Sequence, residues 1–119
     1  MTEFVRETEA AEKKFREKLP ELLQEASKKI KPYTLTQHGV TTTYRQITLI
    51  EQTMDYGSGL RGYVCKLTPD GIEEIISTYS DLRGWTSDPP RKESYEQFAK
   101  KCDSVNLSIV ARKLASLGL

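Results

Sequence analysis

Apolar residues recur at intervals of three or four positions through the first thirty residues of the chain. This spacing places them along one side of a helix, with Glu and Lys on its other sides. Residues 1–31 are therefore predicted to be helical, with Pro32 ending the segment. Pro20 lacks an amide donor, so we expect either a kinked helix or two nearly coaxial helices. The apolar stripe consists of Phe4, Thr8, Ala11, Phe15, Leu19, Leu22, Ala26 and Ile30.

The next segment, residues 33–67, is rich in Thr, Tyr, Ile and Val, which favour strands. The predicted strands are Tyr33–His38, Val40–Thr53 and Leu60–Leu67. Gly39 marks the first turn, and the Gly-rich run that starts at Asp55 marks the second. Because consecutive strands joined by short turns pair side by side, this segment is predicted to form a three-stranded antiparallel meander.

Residues 69–119 are predicted to be mainly helical. Four apolar residues follow the i, i+3, i+4, i+7 spacing of a helix, namely Ile72, Ile75, Ile76 and Tyr79. The preceding Thr68 and Pro69 fit either a turn or the N-cap and first position of that helix. A loop at Leu82–Pro90 is then followed by two predicted helices, Glu93–Cys102 and Leu107–Leu117.

The order of these elements predicts the fold class. A long N-terminal helix, a run of strands and a run of C-terminal helices are segregated along the chain, which is typical of an α+β protein. We expect the C-terminal helices to pack on one face of the antiparallel sheet. The chain has 119 residues, the length of one typical domain, so residues 1–119 are predicted to form a single domain.

Charge is nearly balanced overall but uneven along the chain. The formal net charge is +1, with 29% charged and 37% hydrophobic residues. Residues 68–90 carry one basic and five acidic side chains, whereas residues 91–119 carry six basic and three acidic ones. The closing segment is therefore the only candidate for a basic face that attracts nucleic acid.

Several features predict a cytoplasmic protein with no membrane partner. No apolar run approaches the roughly 18 residues of a membrane span, and the charged start Thr2–Glu9 does not resemble a signal peptide. Cys65 and Cys102 are too few for a disulfide framework and form no CxxC pair. A reducing compartment is thus expected.

The stretch Gly57–Val64 fits the glycine-rich pattern G-x-G-x-x-G-x-V of phosphate-binding loops. A dinucleotide-binding loop leads from a strand into a helix, but this stretch leads into a predicted strand. In protein kinases the loop does join two strands, yet no HRD or DFG triplet is present here. We therefore interpret these glycines as turn residues and predict no cofactor.

Candidate catalytic and metal-binding residues are few. His38 is the only histidine, and it has no partner at metal-ligand spacing. A Cys–His nucleophile would require the fold to bring His38 to Cys65 or Cys102; a buried role is favoured for Cys65, and an exposed turn for His38. The adjacent Glu73 and Glu74 are interpreted as solvated charges at a helix start. We assign no catalytic residue and no metal ligand.

The C-terminal segment loosely resembles a helix-turn-helix, in which the second helix enters the major groove of DNA. Its turn lacks glycine and looks one residue too long for that motif. Two amphipathic helices that close a small core would give the same pattern, and this interpretation is favoured. The candidate nucleic-acid contacts are Lys100, Lys101, Ser108, Arg112 and Lys113.

Arg83 and Trp85 are the candidate contacts for a protein partner. They belong to Leu82-Arg83-Gly84-Trp85, which echoes the earlier Leu60-Arg61-Gly62-Tyr63. A tryptophan in an exposed loop is a candidate binding anchor, although a loop tryptophan that folds back onto the core is an equal alternative.

These observations favour a non-catalytic binding or regulatory protein that contacts another macromolecule, preferably a protein. The alternative is a nucleic-acid-binding protein that uses the basic C-terminal helices. A small enzyme whose site is assembled only by the fold comes third. The N-terminal helix is also a candidate interface for a homo-oligomer.

Overall fold

A computed structural model describes residues 2–57 and 59–119, with side chains described from residue 9 onward in these ranges. The fold class is α+β, with one N-terminal helix, antiparallel sheets and two C-terminal helices, so the predicted class is confirmed. In chain order the elements are α1 (Thr2–Lys28), β1 (Tyr33–Gln37), β2 (Val40–Tyr44), β3 (Ile47–Asp55), β4 (Leu60–Thr68), β5 (Gly71–Ser80), β6 (Gly84–Ser87), β7 (Arg91–Glu93), α2 (Tyr95–Lys101) and α3 (Ser104–Ser116).

Helix α1 is a single helix that contains Pro20, so the two-helix alternative is wrong. It ends at Lys28, earlier than the predicted end at residue 31. The second half of the predicted stripe packs into the core, and Leu23, which the stripe did not include, is fully buried there. Ala11 is exposed, and the side chains of Phe4 and Thr8 lie outside the described part of the chain.

The predicted strand Val40–Thr53 is two strands, β2 and β3, separated by Arg45 and Gln46. The Arg45 guanidinium donates to the Ile30 carbonyl at 3.1 Å, beyond the end of α1. This contact links the segment between β2 and β3 to the end of α1, where a cation complements the negative end of the helix dipole. Strands β1 and β2 form a separate two-stranded sheet.

The main sheet has five strands, so the predicted three-stranded meander is wrong in its strand count. Strands β3, β4, β5 and β6 are hydrogen-bonded in that order, and β7 also pairs with β5. All these pairings are antiparallel. The turn between β3 and β4 is closed by a hydrogen bond from the Tyr56 amide to the Gly59 carbonyl at 2.9 Å, which confirms the predicted turn in the glycine-rich stretch.

The predicted helix at Ile72–Tyr79 is strand β5. Its helical spacing is a coincidence, because this strand carries apolar residues on both faces and its isoleucines favour a strand. The turn alternative for the preceding residues is confirmed, since Thr68 pairs with Gly71 and closes a hairpin. Gly71 has φ +140°, and a Cβ there would lie 2.5 Å from the Glu93 carbonyl oxygen of β7, so only glycine allows this approach.

The predicted loop Leu82–Pro90 contains strand β6, and Glu93, the predicted start of a helix, belongs to strand β7. The two predicted C-terminal helices exist as α2 and α3, with shifted ends. Ser94 forms a capping box with Gln97 at the start of α2, and the Asp103 side chain accepts from the Asn106 amide at the start of α3. These caps set where both helices begin.

All three helices contribute to one buried cluster with the main sheet, as predicted for helices on one face. Arg16 of α1 ties the helices together, because its guanidinium donates to the Ala99 carbonyl at 2.7 Å and to the Cys102 carbonyl at 2.6 Å. It thereby satisfies carbonyl groups at the end of α2. The largest fully buried side chains are Leu19, Leu23, Ile50, Cys65, Leu67, Ile72, Phe98, Val110 and Leu114.

Candidate functional site

The strand register divides the main sheet into two faces. Directly opposed residues in antiparallel strands share a face, so the opposed residues Ile50, Cys65 and Glu74 lie together on what we call the inner face. All three are buried. The alternate residues form the outer face, which consists of Glu51, Thr53, Asp55, Leu60, Gly62, Val64, Lys66, Glu73, Ile75, Ser77, Tyr79, Trp85, Ser87 and Lys92.

The outer face is not buried by a second layer within the described part of the chain. Its apolar residues Val64 and Ile75 lie opposite one another and are only half-buried, although they occupy the two central strands. A sheet normally buries one face against a core and leaves a polar face in water. Here the centre of the solvent-facing side carries the apolar pair Val64 and Ile75 next to the charged residues Glu51, Lys66 and Glu73, so the outer face combines apolar and charged groups.

Trp85 lies on this outer face, so the predicted loop position of its ring is corrected to a strand. It pairs with Tyr79 of β5, and the two ring centroids are 5.5 Å apart with a tilt of 49°. Its ring lies over Gly62 of β4, where an added Cβ would be 3.5 Å from Cζ3. The indole nevertheless remains 52% exposed. Trp85 is therefore supported by the sheet but available for contact.

Acidic side chains flank the aromatic pair. A depression of about 220 Å³ beside Tyr79 is lined by carboxylates from two turns, Asp55 and Asp81. Arg83 is exposed in the short turn between β5 and β6, where its amide donates to Ser80 Oγ at 3.2 Å. Arg83 and Trp85 thus lie close in the chain, at one end of the outer face.

A buried polar cluster on the inner face was missed by sequence reasoning. Glu74 is not a solvated helix charge but a strand residue that is 7% exposed. The Tyr63 hydroxyl and the Lys101 ammonium both donate to its carboxylate. Lys101 also pairs with Glu93 of β7 at 2.9 Å. The sequence signal that could have indicated this burial is the alternation of strand β5, which places residue 74 on the same face as buried Ile72.

The two carboxyl groups of this cluster have opposite pKa shifts. Burial and the hydrogen bond to Glu74 raise the pKa of Glu93 to about 7. Burial alone would also raise the pKa of Glu74, but hydrogen bonds from Glu93, Lys101 and Tyr63 hold it below its ordinary value. Oε1 of Glu93 is buried without a partner among the described residues.

The cluster also engages one of the predicted nucleic-acid contacts. Two carboxylates hold the Lys101 ammonium. Although burial opposes the charge of Lys101, hydrogen bonds to Glu74 and Glu93 raise its pKa. Breaking this arrangement to reach a phosphate would leave two partly buried carboxylates unpaired. The cluster therefore joins α2 to the sheet, and Lys101 takes part in that contact while its side chain remains 49% exposed.

The other basic candidates are spread over the two C-terminal helices. Lys100 and Arg112 are exposed, and Lys113 is half-buried. Ser108, one helical turn before Arg112, is exposed and donates to the Ser104 carbonyl at 3.1 Å. Helix α2 has only seven residues, so the pair resembles two short core-closing helices more than a DNA-reading unit.

The histidine and the cysteines are not brought together. His38 is exposed in the turn between β1 and β2 with φ 52°, whereas both thiols are buried and free. Burial raises the pKa of Cys65 to about 12 and that of Cys102 to about 11. Neither thiol therefore has the lowered pKa of a nucleophile. In residues 2–57 and 59–119 no three metal-ligating side chains cluster.

Comparison with known proteins gave no matching family model, no matching curated protein and no matching solved structure. Among the described helices, none combines the length and the apolar character needed to cross a membrane.

Proposed function

We propose that this protein is a non-catalytic binding module that contacts another protein through the outer face around Trp85. The single observation that carries this proposal is the half-exposed Trp85–Tyr79 pair on a sheet face that no helix covers in the described residues. Tryptophan and tyrosine dominate the binding energy of protein interfaces, because they bury a large area with few rotatable bonds.

The rigidity of this face also supports a binding role. Trp85 lies on a strand, and its ring rests on Gly62 and against Tyr79. A side chain that is already held in place loses little conformational entropy when a partner covers it. The outer face thus provides an anchor that is ordered before binding.

The charges around the anchor favour a protein partner over nucleic acid at this surface. Asp55 and Asp81 line the depression beside Tyr79. Carboxylates repel a phosphate backbone, whereas they complement basic side chains. We therefore expect a partner segment that combines apolar residues with lysine or arginine.

The experiment is a comparison of two matched variants, Trp85→Ala and Leu82→Ala. Leu82 is 98% exposed, lies three residues away and is also apolar, so its loss controls for a general decrease in surface hydrophobicity. The tagged proteins are purified from cells that contain the natural partner. We expect wild type and Leu82→Ala to retain one stoichiometric protein and Trp85→Ala to lose it.

Equal retention by both variants would show that Trp85 is not the anchor. Far-UV circular dichroism and the unfolding midpoint of each variant verify that the fold is intact. Nuclease treatment of the lysate separates this proposal from the nucleic-acid alternative. A protein that binds directly at the outer face should remain bound after DNA and RNA have been digested.

A nucleic-acid-binding role for α3 is the second candidate. Its support is the exposed pair Ser108 and Arg112, one turn apart on the same side of the helix. The engagement of Lys101 with Glu74 and Glu93 weakens this candidate. A cytoplasmic location stays a prediction, which the two free cysteines support.

A further inference from the structure

The hairpin formed by β1 and β2, which we call the hairpin arm (residues 33–44), is separate from the main sheet. Its strands pair only with each other in the described part of the chain, from Tyr33 opposite Tyr44 to Gln37 opposite Val40. His38 and Gly39 both have positive φ at its tip, as in the two-residue turns that match strand twist. All ten strand residues are exposed.

The two faces of the hairpin arm differ in chemistry. One face carries Tyr33, Leu35, Val40 and Tyr44, which are 41%, 49%, 65% and 36% exposed. The tyrosine rings stack on this face with centroids 5.6 Å apart. The opposite face carries two opposed pairs of threonines, and the hydroxyl groups of Thr36 and Thr41 are 2.9 Å apart. Only the first face offers an apolar surface to a partner.

The hairpin arm lacks the usual protection of exposed strands. An isolated two-stranded hairpin is at best marginally stable in water, and monomeric proteins protect strand edges with charged residues or proline. Residues 33–44 contain no Lys, Arg, Asp, Glu or Pro, although 29% of the whole chain is charged. The composition of the arm is therefore that of a covered element.

The lack of charge indicates what covers the hairpin arm. In a two-fold symmetric contact the same patch meets itself, so any net charge on the patch would be repelled by its own copy. An uncharged patch avoids that repulsion, whereas contacts between different proteins usually gain specificity from opposite charges. The radius of gyration, 16.8 Å, also exceeds the about 13.5 Å of a compact chain of this length, as expected for a molecule with projecting parts.

We propose that the hairpin arm packs its tyrosine-bearing face against the hairpin arm of a second copy of this chain, about a two-fold axis. The contact is smaller than the 20–30 residues a side of standard interfaces. It therefore gives a weak dimer, with a dissociation constant on the order of micromolar. The outer face around Trp85 is not part of this contact, so both copies can bind a partner.

The test is sedimentation velocity on the full chain from about 1 µM to 1 mM, with variants that place charge on the arm. Leu35→Glu alone and Leu35→Lys alone should each stay monomeric over this range, because each brings like charges together. An equimolar mixture of the two should form a mixed dimer at least as well as wild type. The matched controls Thr34→Glu and Thr34→Lys lie on the opposite face and should dimerise like wild type.

Three results would overturn the proposal. Wild-type protein that remains monomeric at 1 mM would exclude the contact. Dimers that persist in both Leu35 variants would place the interface elsewhere, as in the predicted role of α1. A mixture of the charged variants that fails to associate would show that the two arms do not meet. Unfolding midpoints within the error of wild type verify that the fold is intact, since Leu35 lies outside the core cluster.

Discussion

The inner and outer faces of the main sheet are built from alternate residues of the same strands, yet the described helices cover only the inner one. On the inner face Cys65 and Leu67 are fully buried under α1, α2 and α3. On the outer face Val64 and Lys66, which flank Cys65 in sequence, remain half-buried. Burial in the core therefore explains why the inner face is apolar. The apolar residues of the outer face contribute far less to stability and are available for binding.

The largest expected effect is the difference in unfolding free energy between a variant on the inner side of the sheet and a variant on the outer face. Phe98→Ala removes a side chain of α2 that belongs to the buried cluster over the inner face and is 2% exposed, and we expect it to lower the free energy of unfolding by about 3–5 kcal/mol. Trp85→Ala removes a larger side chain from the outer face and should cost about 1 kcal/mol, because half of its surface is already in water. Urea denaturation of both variants measures the difference. Equal losses would contradict the distinction between the faces.

The next largest effect on stability is expected from the buried polar cluster on the inner face. The pKa of Glu93 is raised to about 7 in the folded protein, above its ordinary value of 4.5. The unfolded chain thus releases this proton first as pH increases, and the contribution of Glu93 to stability is lost between about pH 4.5 and pH 7. Glu93→Gln should remove this decline and stabilise the protein at pH 8 by on the order of 1 kcal/mol, because its amide donates to Glu74 without ionising.

Urea midpoints at pH 5 and pH 8 measure this prediction for Glu93→Gln. Glu51→Gln serves as the control, because Glu51 is exposed on β3 and its loss should leave the pH profile unchanged. Below pH 4.5 stability should change with pH in the opposite direction, because of Glu74. Its pKa is lowered in the folded protein, so stability decreases as the pH falls and Glu74 becomes protonated. A Glu93→Gln profile that declines from pH 5 to pH 8 like wild type would show that Glu93 is already ionised at pH 5.

The smallest effect is expected from Arg112→Ala combined with Lys113→Ala. Arg112 is exposed, Lys113 is half-buried and neither belongs to the core cluster, so stability should change by no more than about 0.5 kcal/mol. If α3 binds nucleic acid, the slope of log affinity against log salt on duplex DNA should become shallower by up to about 0.9 per lost phosphate contact. A filter-binding series at increasing salt measures that slope.

The sequence predicted those parts of the fold in which one periodicity dominates. The core stripe of α1, the existence of α2 and α3 and the turn between β3 and β4 follow from local spacing and turn chemistry. Strand β5 was mistaken for a helix, because its isoleucines lie on both faces and so mimic a helical repeat. Only the pairing of Cys65 with Glu74 in the sheet decides between the two, and that pairing is not local.

The candidate site was predictable only as individual residues. Trp85 was identified as an anchor, but its support by Gly62 and Tyr79 depends on three strands meeting side by side. The ion pairs of Lys101 with Glu74 and Glu93 join residues that are 27 and 8 positions apart, so no sequence pattern indicates that Lys101 rather than its neighbour Lys100 forms them. Exposure and ion pairing, which determine what a side chain can bind, are set by the fold.

The most direct test of the binding proposal is site-specific photo-crosslinking in the cells that make the protein. A benzophenone side chain is introduced in place of Trp85 or, as the control, in place of Leu82, which is also apolar and even more exposed. We predict one discrete crosslinked product with a single other protein from position 85, and no such product from position 82. Absence of a product at position 85, or the same set of products from both positions, would contradict the assignment of the outer face as the binding surface.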